Sequence, residues 1–297
     1  MRVIKSIDTT DAILTSSNIA EDEHPKWVSA ASYTALTRVI YQHKIYEAII
    51  THNGITTTPD LDLTRWSTIS YTNRYKMFDN VISNSSSRIG GIEFKLTPNQ
   101  AIDSIVFLNV NAATVRVVMT DPVLGIVYDK TQVLSSMDGV TDYFSYFFAP
   151  VGANKNTALF LDLPSHPTAS VTAYISSGTA LVEVGEVVYG TQSVIGRTTY
   201  GTSIGIKSYS RKEVDEFGNV TVVKRKNSKF AEYELDIDNY KLAEVQRFFA
   251  DIDSVPSVFI GNPEMDELTV FGFYNDFKAT ISFPTVSKCS LRVEGLI

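Results

Sequence analysis

Between residues 104 and 176, apolar positions come in short runs divided by turn-forming residues. "SIVFLNV" (104–110), "ATVRVVMT" (113–120), "GIVYDKTQVL" (125–134), "TALFLDL" (157–163) and "ASVTAYIS" (169–176) are rich in β-branched and aromatic residues. "TDP", "SMDG", "GANKN" and "PSHP" punctuate them, and such clusters mark strand ends. A repeat of about ten residues with no helical period between predicts an antiparallel sandwich or jelly roll, placed at 81–190.

The pattern changes after residue 190. "SRKEVDEFGNVTVVKRK" predicts a hairpin, with Gly218–Asn219 supplying the left-handed residues of a tight turn. Tyr233, Leu235 and Ile237 alternate with Glu232, Glu234 and Asp236, as on a half-buried strand. In "NYKLAEVQRFFADID", Leu242, Val245, Phe249 and Ile252 recur at helical spacing, with Asp238 or Asn239 placed as a cap. "ELTVFGFYNDF", "ATISFP" and "CSLRVEGL" then predict strands. Together these describe an α+β unit with one amphipathic helix over 191–297.

The amino-terminal part is less regular. "MRVIKSI" is a short strand signal, followed by a polar stretch poor in large apolar residues. Residues 1–26 are therefore expected to be an arm that docks elsewhere. Residues 27–80 hold the chain's two tryptophans, Trp27 and Trp66, with Tyr33, Tyr41 and Tyr46 between them. Exposed Trp and Tyr rings can cover the apolar faces of a sugar. A module of this size also has little else from which to build a core. Both readings, core and carbohydrate platform, stay open for this set.

Composition narrows the functional classes. A chain of 297 residues with 44% hydrophobic and 20% charged positions predicts two or three globular domains. The net charge of −7 argues against a nucleic-acid partner, since phosphate binding rests on clustered Lys and Arg. The one basic cluster, "VVKRKNSK" (Lys224, Arg225, Lys226, Lys229), reads as a solvated strand end rather than a phosphate site. The single cysteine, Cys289, sits in an alternating strand pattern and reads as a buried thiol. No signal-peptide run and no stretch of transmembrane length is evident, so synthesis and folding in a reducing cytosol are expected, with no membrane insertion.

Motifs for catalysis are not evident. The four histidines (His24, His43, His52, His166) form no metal-binding spacing and read as structural or solvent-facing. There is no nucleophile elbow and no phosphate-binding loop; "GTSIGIK" (201–207) reads as a flexible connection. The pairs Asp60/Asp62, Asp236/Asp238 and Asp251/Asp253 carry no sign of facing each other across a cleft, as a glycosidase requires. The expectation is a non-enzyme with no cofactor and no metal.

Three strings carry a resemblance. The segment 27–66, with Trp27, Val39, "HKIYEAI", Pro59 and Trp66, resembles the small chitin-binding module of bacterial chitinases. It departs from that pattern at His43–Lys44, where Gly-Lys is usual. "WSTISYTNRYKMFDN" (66–80), "GEVVYGTQSVIGRTTYGTSIGIKSYSRKEVDEFGNVTVVKR" and the ending "CSLRVEGLI" resemble structural proteins of tailed-bacteriophage virions. Ser70–Tyr71 departs from the second pattern, which has glycine there. The resemblance implies a galactose-binding-like jelly roll in the middle region and a place in the virion tail. It implies other tail or neck proteins as partners, and a homo-oligomer in a symmetric assembly. On that view the chain is an adaptor, or a tail-to-fibre or baseplate junction protein, with domains joined by 67–80 and 185–210. The competing expectation is a carbohydrate- or receptor-binding protein, contacting a host glycan through Trp27, Tyr33, Tyr41, Tyr46 and Trp66. A hydrolase or depolymerase is a third.

Overall fold

The computed structural model describes residues 1–134, 143, 147, 155–214 and 216–296. The turns expected at "SMDG" and over most of "GANKN" lie outside these. The protein is mainly β, as the sequence pattern predicted, and its frame is a stack of sheets. The outer sheet has five antiparallel strands in the order Gly125–Val133, Thr114–Asp121, Ser170–Ser176, Ile92–Leu96 and Leu14–Ser17. Facing it is a four-stranded sheet ordered Thr157–Phe160, Ser104–Asn111, Leu181–Gly190 and Ser86–Ile89. The chain passes repeatedly from one sheet to the other, the jelly-roll arrangement.

Behind the four-stranded sheet lies an eight-stranded one. Its order is Gln192–Val194, Arg2–Lys5, Ser257–Ile260, Thr269–Thr280, Val286–Gly295, Asn227–Asp238 and Arg197–Thr198, and Ser203–Ser208 also pairs with Asn227–Asp238. The helix Leu242–Asp251 covers its far face, seating Val245, Phe249 and the following Ile252 in the core there. The Phe249 ring stacks on Phe277 at 4.5 Å.

The four-stranded sheet is buried on both sides. Ile105, Phe107, Val182, Val187 and Tyr189 face the sandwich core. Val106, Leu108 and Val188 face a separate core shared with Ile4, Val258, Ile260 and Phe271 of the eight-stranded sheet. Ser104–Asn111 and Leu181–Gly190 change their inward-facing parity at one level, since Val110, Val182 and Val184 also join the sandwich core. At that level Asn109 takes a left-handed φ of 52°. A Cβ on the neighbouring Gly185 would lie 2.5 Å from the Ile82 carbonyl oxygen and 2.7 Å from the Asn109 Cβ. Gly190 is equally constrained, because a Cβ there would lie 2.6 Å from the Lys5 carbonyl oxygen.

Several expectations are corrected by this arrangement. The stretch 185–210, expected to join domains, is built into the sheets, and its part 201–207 is not a flexible connection. Leu181–Gly190 is a central strand, Gln192–Val194 is an edge strand of the large sheet, and "GTSIGIK" contains the strand Ser203–Ser208. Residues 1–26 are pinned at two points, with Arg2–Lys5 between two strands of the large sheet and Leu14–Ser17 on the edge of the sandwich. "ATISFP" is not a separate strand, because Thr269–Thr280 runs through its first two residues. Asp238 and Asn239 do not cap the helix. The Asn239 amide donates instead to the carbonyls of Phe283 and Pro284, each at 2.9 Å.

One buried carboxyl bears on stability. Glu186 is 1% exposed on the shared face, beside Asp79. Burial pushes its carboxyl well above the usual carboxylate range, and the nearby Asp79 charge adds to the shift. The backbone N–H groups of Asn80 and Val81 partly oppose it. A carboxyl raised in the folded state contributes fully below its unfolded value, and that contribution is lost as pH rises through the folded value. Glu186→Gln does not ionise. Its stability relative to the wild type should therefore climb from about pH 4 upward, by at most about 1.4 kcal/mol per pH unit. Urea denaturation at several pH values checks this, and a pH-independent difference would mean that Glu186 ionises as an exposed carboxylate does.

Candidate functional site

The five aromatic residues singled out in 27–66 do come together. Arg38–Tyr41, Lys44–Ala48 and Trp66–Tyr71 form a three-stranded antiparallel sheet, with Pro25–Lys26 lying along Ile40. Val39, Tyr46, Ala48 and Trp66 make its core, and Trp27, Tyr33 and Tyr41 pack against them half-buried. Trp66 is 1% exposed and Tyr46 is 3% exposed, so neither ring offers a face to a ligand. Tyr33 meets Trp66 edge-on at 5.1 Å, and His52 meets Trp66 edge-on at 5.0 Å. Trp27 and Tyr41 are also edge-on, at 5.4 Å. The Tyr33 hydroxyl accepts from the Val28 N–H at 2.7 Å and donates to the Val28 carbonyl at 3.1 Å. These rings hold each other in place and do not form a coplanar platform.

The module is fastened to the rest by the string that follows it. In "TNRYKMFD", Thr72, Tyr75 and Met77 are buried, and Tyr75 and Met77 belong to the sandwich core. Asn73 exchanges two hydrogen bonds with the Ser87 backbone, each at 2.8 Å. Phe78 meets Phe94 edge-on at 5.6 Å. The departure at Ser70–Tyr71 falls in the strand Trp66–Tyr71 just after a register shift that leaves Ile69 unmatched, and neither residue takes a left-handed φ.

His43 completes the joint. Gln42 and His43, with φ of 46° and 61°, form the tight two-residue turn between the first two strands of the module. The left-handed conformation explains why glycine suits this place, and local contacts hold the histidine there. Its Nδ1 lies 2.9 Å from Glu21, its Nε2 lies 3.0 Å from Asp11, and its ring stacks on Tyr75 at 4.0 Å. Tyr75 donates its hydroxyl proton to Asp11, and this bond, with His43 and Arg74, holds the Asp11 carboxyl below the usual range despite partial burial. His43, Asp11, Glu21, Tyr75 and Thr72 thus tie the arm, the module and the sandwich at one point. Residue spacing gave no sign of this network, because its members are up to 64 positions apart.

Other sequence candidates have structural partners. Asp62 accepts from Thr64 at 2.6 Å and Arg65 at 2.8 Å, which keep its carboxyl low. Asp236 pairs with Lys288 at 2.7 Å. His166 lies 3.6 Å from Asp121. Cys289 is buried, and burial pushes its thiol up. Among the described residues no group of three or more His, Cys, Asp or Glu side chains is placed to hold a metal ion. No helix among them is long and apolar enough to cross a membrane.

The predicted hairpin carries a surface without a partner strand. Ser203–Ser208 pairs with residues 227–232, and Arg211–Val214 pairs with Val220–Val223, making one long ribbon. Only from Phe230 onward does its second strand also pair with Val286–Gly295. Residues 209–226 therefore stand outside the large sheet, with Gly218 at φ 82° in the turn. Ile206 is 69% exposed, Val220 60% and Val222 56%. A bare two-stranded ribbon is marginal in water, and clustered exposed valines are a surface that a neighbour covers.

No protein-family model matches this chain, and no curated protein matches it.

Two outcomes test the geometry of the module. Trp66→Ala should destabilise the protein by about 3–5 kcal/mol in chemical denaturation, because it empties the module core. Unchanged stability would instead mark the ring as a surface group. His43→Asn keeps a residue tolerant of the left-handed turn but removes the stack and at least one carboxylate contact. It should speed proteolysis within residues 12–24 while leaving the sandwich intact, and an unchanged cleavage rate would show that the arm is held without it.

Proposed function

We propose that the protein is a non-enzymatic structural component of a phage tail, acting as an adaptor or as a tail-to-fibre or baseplate junction protein. The observation that carries this reading is the ribbon of residues 203–232, whose distal half exposes valines on strands belonging to no larger sheet. Such an element is suited to lie on a neighbouring chain in a symmetric assembly, where its free edges and apolar faces become covered. The resemblance of 66–80 to tail-protein strings supports the reading, since those residues join separate parts of this chain into one body. On this view the chain is made in the host cytoplasm and ends in the virion, with other tail proteins and copies of itself as partners.

A second reading, host-glycan or receptor binding, draws on the half-buried edges of Trp27, Tyr33 and Tyr41. It would engage ring edges and neighbouring backbone rather than a stacked face.

The ribbon supplies the test. Val220→Asp with Val222→Asp replaces exposed side chains, so the thermal midpoint should stay close to wild type. The same variant should lose self-association in sedimentation velocity, or lose incorporation into particles seen by electron microscopy. If the wild-type chain stays a compact monomer with and without tail proteins, and particles carry no density for it, the assignment fails. Glycan binding that survives the double substitution but not replacement of Trp27 would favour the second reading.

A further inference from the structure

The basic cluster is exposed beside two strand ends, as the sequence predicted, and it also borders a cleft. Lys224, Arg225, Lys226 and Lys229 line a cleft of about 620 Å³ between the base of the ribbon, the edge of the sandwich and the end of the large sheet. Its apolar lining comes from both bodies, with Ile82 and Leu108 on one side and Val270, Phe271 and Leu296 on the other. Asn109, Asn156 and Asn227 add amides. Thr269 also lines it, and its Oγ1 is buried without a hydrogen-bond partner among the described residues.

The charge at this place is unbalanced. The chain carries −7 overall, yet among the described residues no carboxylate lines the cleft. Among the described residues none of the four cations forms an ion pair, and Lys226 reaches only the Ser83 hydroxyl. Glu294, the acid near the ribbon base, is already bound by Lys207 at 2.8 Å and Tyr209 at 3.0 Å, which hold its carboxyl down at about 2. Four uncompensated cations above an apolar floor fit a ligand that alternates carboxylates with apolar side chains.

We infer that this cleft binds an extended acidic polypeptide segment of a partner protein, with its carboxylates on Lys224, Arg225, Lys226 and Lys229 and its apolar side chains on the half-buried Ile82 and Leu296. A nucleic acid fits less well, because the net charge of −7 repels a long polyanion and the one aromatic of the lining among the described residues, Phe271, is only 2% exposed and offers no face for a base to stack on. The inference does not rest on the tail-adaptor reading, since any partner with such a segment satisfies it.

Fluorescence anisotropy with a labelled peptide of alternating Glu and Leu tests it, alongside an alternating Lys and Leu peptide, labelled oligothymidylate and inorganic phosphate as competitor. The acidic peptide alone should bind, and binding should weaken with salt. Replacing all four cations by Gln should weaken it by roughly a hundredfold, at ordinary values for charge-assisted contacts. Arg211→Gln with Lys212→Gln removes charge from the distal ribbon and should leave affinity within about twofold. Because the four cations are exposed, the circular dichroism spectrum should not change. Should the fourfold variant misfold, Lys226→Glu alone must still weaken binding by at least roughly tenfold. No binding of the acidic peptide, equal loss in the distal variant, or preference for oligothymidylate or phosphate would overturn the inference.

Discussion

Burial of the four-stranded sheet on both faces is the constraint on which the architecture depends. An ordinary sandwich sheet shows one face to water, and its strands alternate apolar with polar residues. Ser104–Asn111 cannot, because Ile105 and Phe107 fill the sandwich core while Val106 and Leu108 fill the core behind. The same division runs through the amino-terminal strand, where Val3 joins the core under the helix and Ile4 joins the shared one. Sandwich and large sheet are thus held by an interior of the kind found within domains. A hinge between them would expose Val106, Val188, Val258 and Phe271 together.

That rigidity changes what the segment at 66–80 does. In a chain of loosely tethered units it would be a linker. Here Tyr75 and Met77 are core residues, Asn73 is paired through both ends of its amide, and His43 reaches from the module to the arm. The module's orientation is fixed by this short stretch together with His43 and the pairing of Lys26 with Ile40. Its composition follows from its position, because a plug needs large apolar groups on one side and backbone-mimicking amides on the other.

Much of the fold was legible in the sequence, and the gaps have physical causes. The runs at 104–110, 113–120, 125–134 and 169–176 are strands because β-branched density between turn residues is a local signal. The helix followed from Leu242, Val245, Phe249 and Ile252, which are spaced to make one face. Short edge strands such as Leu14–Ser17 and Gln192–Val194 were illegible, since they form only where a distant partner supplies the other half of the hydrogen bonds. "GTSIGIK" looked flexible because it is poor in large side chains, yet Gly205 lies under the Phe230 ring, where a Cβ would come within 2.3 Å. For the aromatic set, residue types settled that Trp27, Tyr33, Tyr41, Tyr46 and Trp66 would cluster. They could not say which face of each ring would be covered, because that depends on register.

The ribbon brings exposed apolar side chains and unpaired cations together on one element. Buried apolar side chains are gathered into four cores, and some cations have acid partners, as Arg38 has Glu47 and Arg116 has Asp129. Valines stand in solvent toward the ribbon's tip, and Lys224, Lys226 and Lys229 stand at its base without an ion pair among the described residues. Neither feature helps the isolated chain fold. Exposed valines gain nothing from water, and clustered like charges repel. An element that adds little to the stability of the free chain and is nevertheless held out from a rigid body is suited to contacts outside that chain. On the proposed reading the tip takes an apolar neighbour and the base an acidic one. These demands differ in chemistry, so one ribbon can engage two surfaces, and the rigid stack beneath it fixes the direction in which both are presented.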